Sequence, residues 1–82
     1  MEETIRKVLG DYAKLPVDIT AVDRNADLYA LGLTSHASVN VMLGLEDAFD
    51  VEFPDALLRK DTFQSIADIA DALSGLVDSA SV

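Results

Sequence analysis

The chain has 82 residues, of which 50% are hydrophobic and none is cysteine. This length fits one small domain whose stability comes from apolar packing, since the absence of cysteine excludes disulfides, cysteine-based metal sites and thiol nucleophiles. Fifteen acidic residues against six basic ones give a net charge of −9, which would repel a phosphate backbone, so we expect no nucleic-acid partner.

The first predicted element is an amphipathic helix over residues 2–14. Its apolar stripe at helical spacing consists of Ile5, Val8, Leu9 and Tyr12. Pro16 limits its extent. Between residues 15 and 34 the periodicity is lost and turn-forming residues collect, which predicts a long loop of the kind that is often functional. The apolar residues expected to anchor this loop are Val22, Leu28, Leu31 and Leu33.

The second predicted helix begins near Ser35 and ends near Phe49 or Asp50, and it carries more large apolar residues than one face can bury. Its core-facing residues are predicted to be Val41, Met42, Leu45, Ala48 and Phe49. Val39 and Leu43 lie toward the other side, and the polar residues beside them are Asn40, Glu46 and Asp47. An apolar strip with an acidic rim is typical of a partner-docking surface, although the long loop could instead cover the strip.

The last part of the chain predicts a short helical turn over residues 55–60 and then a third helix. Asp61 or Thr62 is expected to cap this helix, and Asp61 with Gln64 approximates a capping box. The predicted apolar stripe is Phe63, Ile66, Ile69, Ala70, Leu73 and Val77. We expect one domain over residues 1–77, a disordered tail over 78–82, and an all-α bundle of three main helices plus a short one.

Ser35 stands at the predicted start of the second helix, where a serine commonly serves as a cap. Thr34 can take that role and leave Ser35 free as an attachment point. The segment from Leu31 to Pro54 resembles the core of acyl carrier proteins, in which a serine after a Leu-Gly-Leu turn is followed by an apolar run, acidic residues and Phe-Pro. The resemblance implies 4'-phosphopantetheine on Ser35, and the unpaired amides of a helix start suit its phosphodiester.

In the resembled family a phosphopantetheinyl transferase moves the arm from coenzyme A to the serine, and the terminal thiol then holds an acyl or aminoacyl group as a thioester. The domain itself catalyses nothing. Members usually have Asp-Ser-Leu at the attachment site, whereas this chain has Thr34, Ser35 and His36. The substituted positions are expected to alter contacts with the transferase and with partners. The predicted partner-binding residues are Thr34, His36, Val39, Asn40, Leu43, Glu46 and Asp47.

The stretch from Thr34 to Leu43 is most similar to small stand-alone bacterial carriers that truncated relatives of aminoacyl-tRNA synthetases load with amino acids. This resemblance implies an ATP-dependent loading ligase and a downstream acceptor enzyme. Two alternatives stay open: a fatty-acyl or specialised lipid carrier, and an unmodified helical interaction module. The acidic start and the short apolar stretches predict a cytoplasmic protein without a membrane partner. We also expect the protein to be a monomer.

Two further functions are not expected. Ser35 beside His36 suggests a nucleophile and a base, but adjacent helical residues do not face each other, so no catalytic residue is assigned. Residues from Asp23 to Asp27 begin like a calcium-binding loop, but Leu28 and Thr34 stand where that loop requires glycine and glutamate. A polar turn is the preferred interpretation, and no metal site is assigned.

Overall fold

The computed structural model describes residues 2–80, with side chains up to residue 77, and it contains three α-helices. These are α1 (Glu2–Val8), α2 (Ser35–Phe49) and α3 (Ile66–Ala80). Helix α1 continues as a π-helix over Leu9–Ala13, and short 3-10 turns occupy Ile19–Ala21, Asp55–Leu57 and Lys60–Phe63. Residues 2–80 contain no β-strand. The all-helical fold with a long loop between its first two main helices is therefore confirmed.

The end of the first helix differs from the prediction because its last turn is a π-helix. Tyr12, assigned to the apolar stripe, is 45% exposed, whereas Ala13 is 8% exposed. A π-turn closes between residues i and i+5, so Ala13 follows Val8 on the buried face. Lys14 then ends the helix with φ of 51°, in the left-handed region. Because a π-turn is wider than an α-helical turn, the α-helical spacing of the sequence wrongly placed Tyr12 on the buried face.

The core lies between the three helices and is closed by the loops. Its fully buried large side chains are Ile5, Leu9, Leu28, Val41, Leu45, Ile66, Ile69 and Leu73. Met42 and Phe49 pack against this cluster as predicted. Ala48, predicted to face the core, is exposed instead, so that assignment was wrong. The buried face of α2 is therefore narrower than expected, and its opposite face is left to solvent.

Hydrogen bonds hold the long loop against α1 and against the segment just before α3. The Arg6 guanidinium donates to the carbonyls of Ile19 and Val22, each at 2.7 Å. The Leu28 N–H donates to the Gln64 carbonyl at 2.7 Å. Leu28 and Leu33 are buried as predicted, and Val22 and Leu31 pack against the core from partly buried positions. These contacts fix the position of the loop and therefore the position at which α2 begins.

The third helix begins later than predicted. Asp61 lies in a 3-10 turn, and the residue that caps α3 is Ser65, whose hydroxyl accepts the N–H of Asp68 at 3.1 Å and donates to its carboxylate at 2.9 Å. This Ser-x-x-Asp arrangement resembles a capping box, so a sequence signal existed. Helix α3 continues to Ala80, into the predicted tail, and residues 81 and 82 lie outside the described residues.

Gly44 of α2 packs directly against Val8 and Tyr12, so Gly44→Ala should destabilise the fold. A Cβ there would lie 2.7 Å from the Tyr12 ring and 2.9 Å from Val8, closer than real contacts allow. Overpacking of this kind costs about 1–3 kcal/mol, partly offset by the better helix propensity of alanine. Urea unfolding would measure the difference.

Gly75 provides the matched control, because it also lies inside a helix and a Cβ there would meet nothing within 4 Å. Gly75→Ala should therefore stabilise the protein by about 0.5–1 kcal/mol through propensity alone. Equal shifts in both variants would show that the contact between α1 and α2 is looser than described.

Candidate functional site at the first turn of α2

Thr34 caps α2, as predicted. Its backbone is extended, with φ of −102° and ψ of 163°, and its side-chain oxygen accepts the N–H of Ala37 at 3.0 Å. The Thr34 carbonyl accepts the N–H of Ser38 at 2.9 Å. A cap of this type stabilises a helix by about 1 kcal/mol. Since Thr34 satisfies this amide, the neighbouring serine is not needed as a cap.

Ser35 is the first residue of α2, and its side chain is exposed. Within the described part of the chain, its hydroxyl has no hydrogen-bond partner. The amides of Ser35 and His36 belong to the first turn, where N–H groups have no intrahelical acceptor. An accessible hydroxyl thus stands beside free donors at the positive end of a helix dipole, and this donor set fits a phosphodiester such as that of 4'-phosphopantetheine.

Ser38 lies one turn further along α2 and contacts the backbone of Ser35. Its hydroxyl donates to the Ser35 carbonyl at 2.7 Å. Tyr29, from the long loop, lies against Ser38: burial raises the pKa of the Tyr29 phenol, and a side-chain hydrogen bond with Ser38 opposes this rise. The Lys60 ammonium stands 4.9 Å from the centre of the Tyr29 ring. These contacts between α2, the loop and the segment before α3 were not predicted from the sequence.

An apolar groove of about 230 Å³ opens beside the first two turns of α2. Its lining residues are Ser38, Val39, Met42, Leu58, Arg59 and Phe63. Ser35, Ser38, Val39 and Met42 are spaced i, i+3, i+4 and i+7, so Ser35 lies at the head of the stripe that forms one wall. Leu58 and Arg59 form the opposite wall, a role that was not predicted from the sequence.

The exposed strip predicted on α2 is present. Val39 and Leu43 are 51% and 53% exposed, so the long loop does not cover them. His36, Asn40 and Asp47 are also exposed on this helix. The structure therefore brings an apolar strip, polar neighbours and an acidic side chain together on one accessible helix, and their role in partner binding stays a prediction.

Glu46 differs from the other predicted surface residues because it also supports the fold. Its carboxylate accepts the N–H of Phe53 at 2.8 Å, and its carbonyl accepts the N–H of Val51 at 3.1 Å. Asp50 follows with φ of 54° and donates its N–H to the same carbonyl. Glu46 thus fixes the chain as it leaves α2, which leaves Asp47 as the freer of the two acids toward a partner.

The polar turn near Asp23 has an internal explanation. Its carboxylate accepts the N–H of Asn25 at 2.8 Å, and its carbonyl accepts the N–H of Ala26 at 3.0 Å. The described residues contain no group of three or more His, Cys, Asp or Glu side chains that could hold a metal ion. Over the same part of the chain, no helix has both the length and the apolar character required to cross a membrane.

A protein-family model described as the phosphopantetheine attachment site matches residues 3–73. An aminoacyl carrier protein from Agrobacterium fabrum is 47% identical over 78 residues, which is 95% of this chain and 94% of that protein. The family match thus includes Ser35, all of α2, nearly all of α1 and the first half of α3.

Solved structures that include carrier proteins also match this chain. One match is to a chain in the crystal structure of an engineered Bradyrhizobium japonicum glycine:[carrier protein] ligase complexed with carrier protein from Agrobacterium tumefaciens and AMP. The match has 49% identity and a TM-score of 0.88, and it covers 90% of this chain and 99% of the matching chain. The corresponding complex with ATP matches at 47% identity and a TM-score of 0.88, covering 92% and 97%. A solution structure from Agrobacterium tumefaciens matches at 46% identity and a TM-score of 0.78, covering 99% and 98%.

Proposed function

This chain belongs to the family of phosphopantetheine attachment domains, and we propose that it carries an amino acid as a thioester on a 4'-phosphopantetheine arm attached to Ser35. The observation that carries the proposal is the position of Ser35, an exposed and unbonded hydroxyl at a helix start that Thr34 already caps. The aminoacyl cargo is supported by 47% identity to an aminoacyl carrier protein over nearly the whole chain.

The attachment step requires a transferase and coenzyme A. The Ser35 oxygen forms a bond to the phosphorus next to pantetheine, the bond from that phosphorus to 3',5'-ADP breaks, and the serine proton passes to a base of the transferase. When bound, the arm supplies a terminal thiol that forms the thioester. The amides of Ser35 and His36 would hold the anionic phosphodiester at the positive end of α2.

The chain's own part is to present the arm, and loading belongs to a partner enzyme. Ser35 and His36 are sequential residues on a helix, a spacing that does not let one side chain face the other. We therefore assign the activation of the amino acid to an ATP-dependent ligase and place the protein in the cytoplasm, where ATP and coenzyme A are available. A further enzyme would accept the amino acid from the thioester.

Loading is the test of the proposed cargo. The protein carrying its arm is incubated with a glycine:[carrier protein] type of ligase, ATP and single amino acids, and intact mass is measured. We expect a mass increment of one aminoacyl group that survives acid and is removed by a thiol such as dithiothreitol. A protein that accepts no amino acid but takes a fatty acyl group from an acyl-activating enzyme would overturn the aminoacyl proposal.

We place the ligase on the exposed strip of α2, and Leu43→Gln should weaken loading. Leu43 is half exposed, so its replacement by a residue of similar helix propensity leaves the fold intact. An apolar contact at the centre of an interface contributes about 1–2 kcal/mol, which predicts a roughly tenfold loss in kcat/KM for the carrier. Val17→Gln, an exposed loop position, is the matched control. Equal rates for the two variants would place the docking surface elsewhere.

A further inference from the structure

We propose that Ser38 is a positioning residue for the modification of Ser35: the hydrogen bond from its hydroxyl to the Ser35 carbonyl holds the first turn of α2 in the orientation that the transferase requires. This inference rests on the proposed attachment at Ser35. Ser38 does not touch the reacting atoms, since its hydrogen bond is to the Ser35 carbonyl at 2.7 Å.

The turn that carries Ser35 is held from both ends. On one side the Thr34 side chain accepts the N–H of Ala37 at 3.0 Å. On the other side Ser38 donates its N–H to the Thr34 carbonyl at 2.9 Å and its hydroxyl to the Ser35 carbonyl. First turns of helices fray readily, because their N–H groups lack intrahelical partners. The two side-chain bonds oppose this fraying while leaving the Ser35 hydroxyl unbonded.

Tyr29 connects this turn to the rest of the protein. Its amide N–H is bonded to the Asp27 carboxylate at 3.0 Å, and its ring packs against the core from a partly buried position. Lys60 covers the ring at 4.9 Å, so the phenol is held between the loop and the 3-10 turn before α3. The Tyr29 phenol lies next to Ser38, so the turn that carries Ser35 is packed against the loop.

Phosphoryl transfer to a serine depends on the placement of the attacking oxygen within the transferase site. A displacement of about 1 Å can reduce such a rate by up to about 100-fold. Ser38→Ala removes one of the two side-chain bonds that hold the turn, so we expect kcat for modification of Ser35 to fall about five- to tenfold with little change in KM. The KM is expected to stay unchanged because the substitution leaves the exposed apolar side chains of α2, Val39 and Leu43, as they are.

The experiment measures phosphopantetheine transfer from coenzyme A to the intact chain by mass spectrometry, over a range of carrier concentrations. Ser38→Thr should restore kcat, since threonine in a helix can make the same bond to a carbonyl three or four residues earlier. Tyr29→Phe keeps the ring under Lys60 and removes the hydroxyl, so it should give a smaller decrease in kcat. Ser74→Ala, an exposed serine on α3, is the control and should match the wild type.

An unchanged kcat in Ser38→Ala, or a loss that Ser38→Thr does not restore, would overturn the proposal. A rise in KM alone would likewise overturn it, because Ser38 would then be a contact of the transferase. Each of these outcomes leaves attachment at Ser35 in place, since the wild-type protein is modified in every case. Absence of modification in the wild type would instead contradict the proposed function itself.

Discussion

Ser35→Ala should abolish attachment of the phosphopantetheine arm, and every later step with it, while leaving the fold intact. The variant lacks the exposed hydroxyl of the first residue of α2, which has no hydrogen-bond partner among residues 2–80, so no phosphodiester can form there. Alanine is the best helix former, and the exposed serine makes no side-chain hydrogen bond among the described residues, so stability should change by less than about 0.5 kcal/mol. The expected result is therefore a complete loss of modification in a normally folded protein.

Intact mass after co-expression with a broad-specificity transferase measures this directly. The wild-type protein should gain one phosphopantetheine increment, and Ser35→Ala should gain none. Ser74→Ala, on the exposed side of α3, is the control and should be modified like the wild type. An increment that persists in Ser35→Ala would move the attachment to another hydroxyl. No increment in the wild type, even with a transferase from the same source, would favour an unmodified interaction module.

Local sequence patterns predicted the features of this site that depend on neighbouring residues. Thr34 as cap and Ser35 as the free first residue follow from capping preferences, since both involve bonds within one helical turn. The exposure of Val39 and Leu43 follows from counting apolar residues, because one helix face cannot bury them all. These predictions needed no knowledge of how the helices pack.

The features that the sequence analysis missed depend on contacts between distant segments or on unusual backbone geometry. Tyr29 and Lys60 are far apart in the sequence, so local patterns do not predict the contact of the Lys60 ammonium with the Tyr29 ring. The groove walls come from residues about twenty positions apart, such as Val39 and Arg59. A π-turn, which moved Ala13 into the core, has no strong sequence signature.

Glu46 has a structural role that the acidic composition of its segment did not predict. Its position in an acidic cluster suggested partner binding, yet its carboxylate accepts the N–H of Phe53 and so closes the turn after α2. A charged acceptor for a partly buried amide contributes about 1.5–3 kcal/mol. The acidic end of α2 therefore combines a structural carboxylate, that of Glu46, with the exposed acids Asp47 and Asp50, whose carboxylates make no such bond among residues 2–80.

Leu28→Ala should produce the largest loss of stability, because this loop residue is as deeply buried as any in the helices. Its side chain is 0% exposed. Truncating a fully buried leucine costs about 2–5 kcal/mol, a large part of the about 5–15 kcal/mol that stabilises a typical domain. The backbone bonds of Leu28 to Gln64 and Leu33, at 2.7 and 3.0 Å, remain possible in the variant, so the loss reports side-chain packing.

Leu31→Ala, in the same loop, is the matched control for Leu28→Ala, since Leu31 is only partly buried and its removal leaves a smaller cavity. Urea unfolding should give a several-fold larger loss for Leu28→Ala. The effect should extend to the functional site, because the loop ends at Thr34, whose side chain caps the first turn of α2. Under conditions where Leu28→Ala is still mostly folded, its modification at Ser35 should be slower than that of Leu31→Ala. A loss below about 1 kcal/mol would show that the loop does not depend on this side chain, and that the Arg6 bonds to the Ile19 and Val22 carbonyls suffice to hold it.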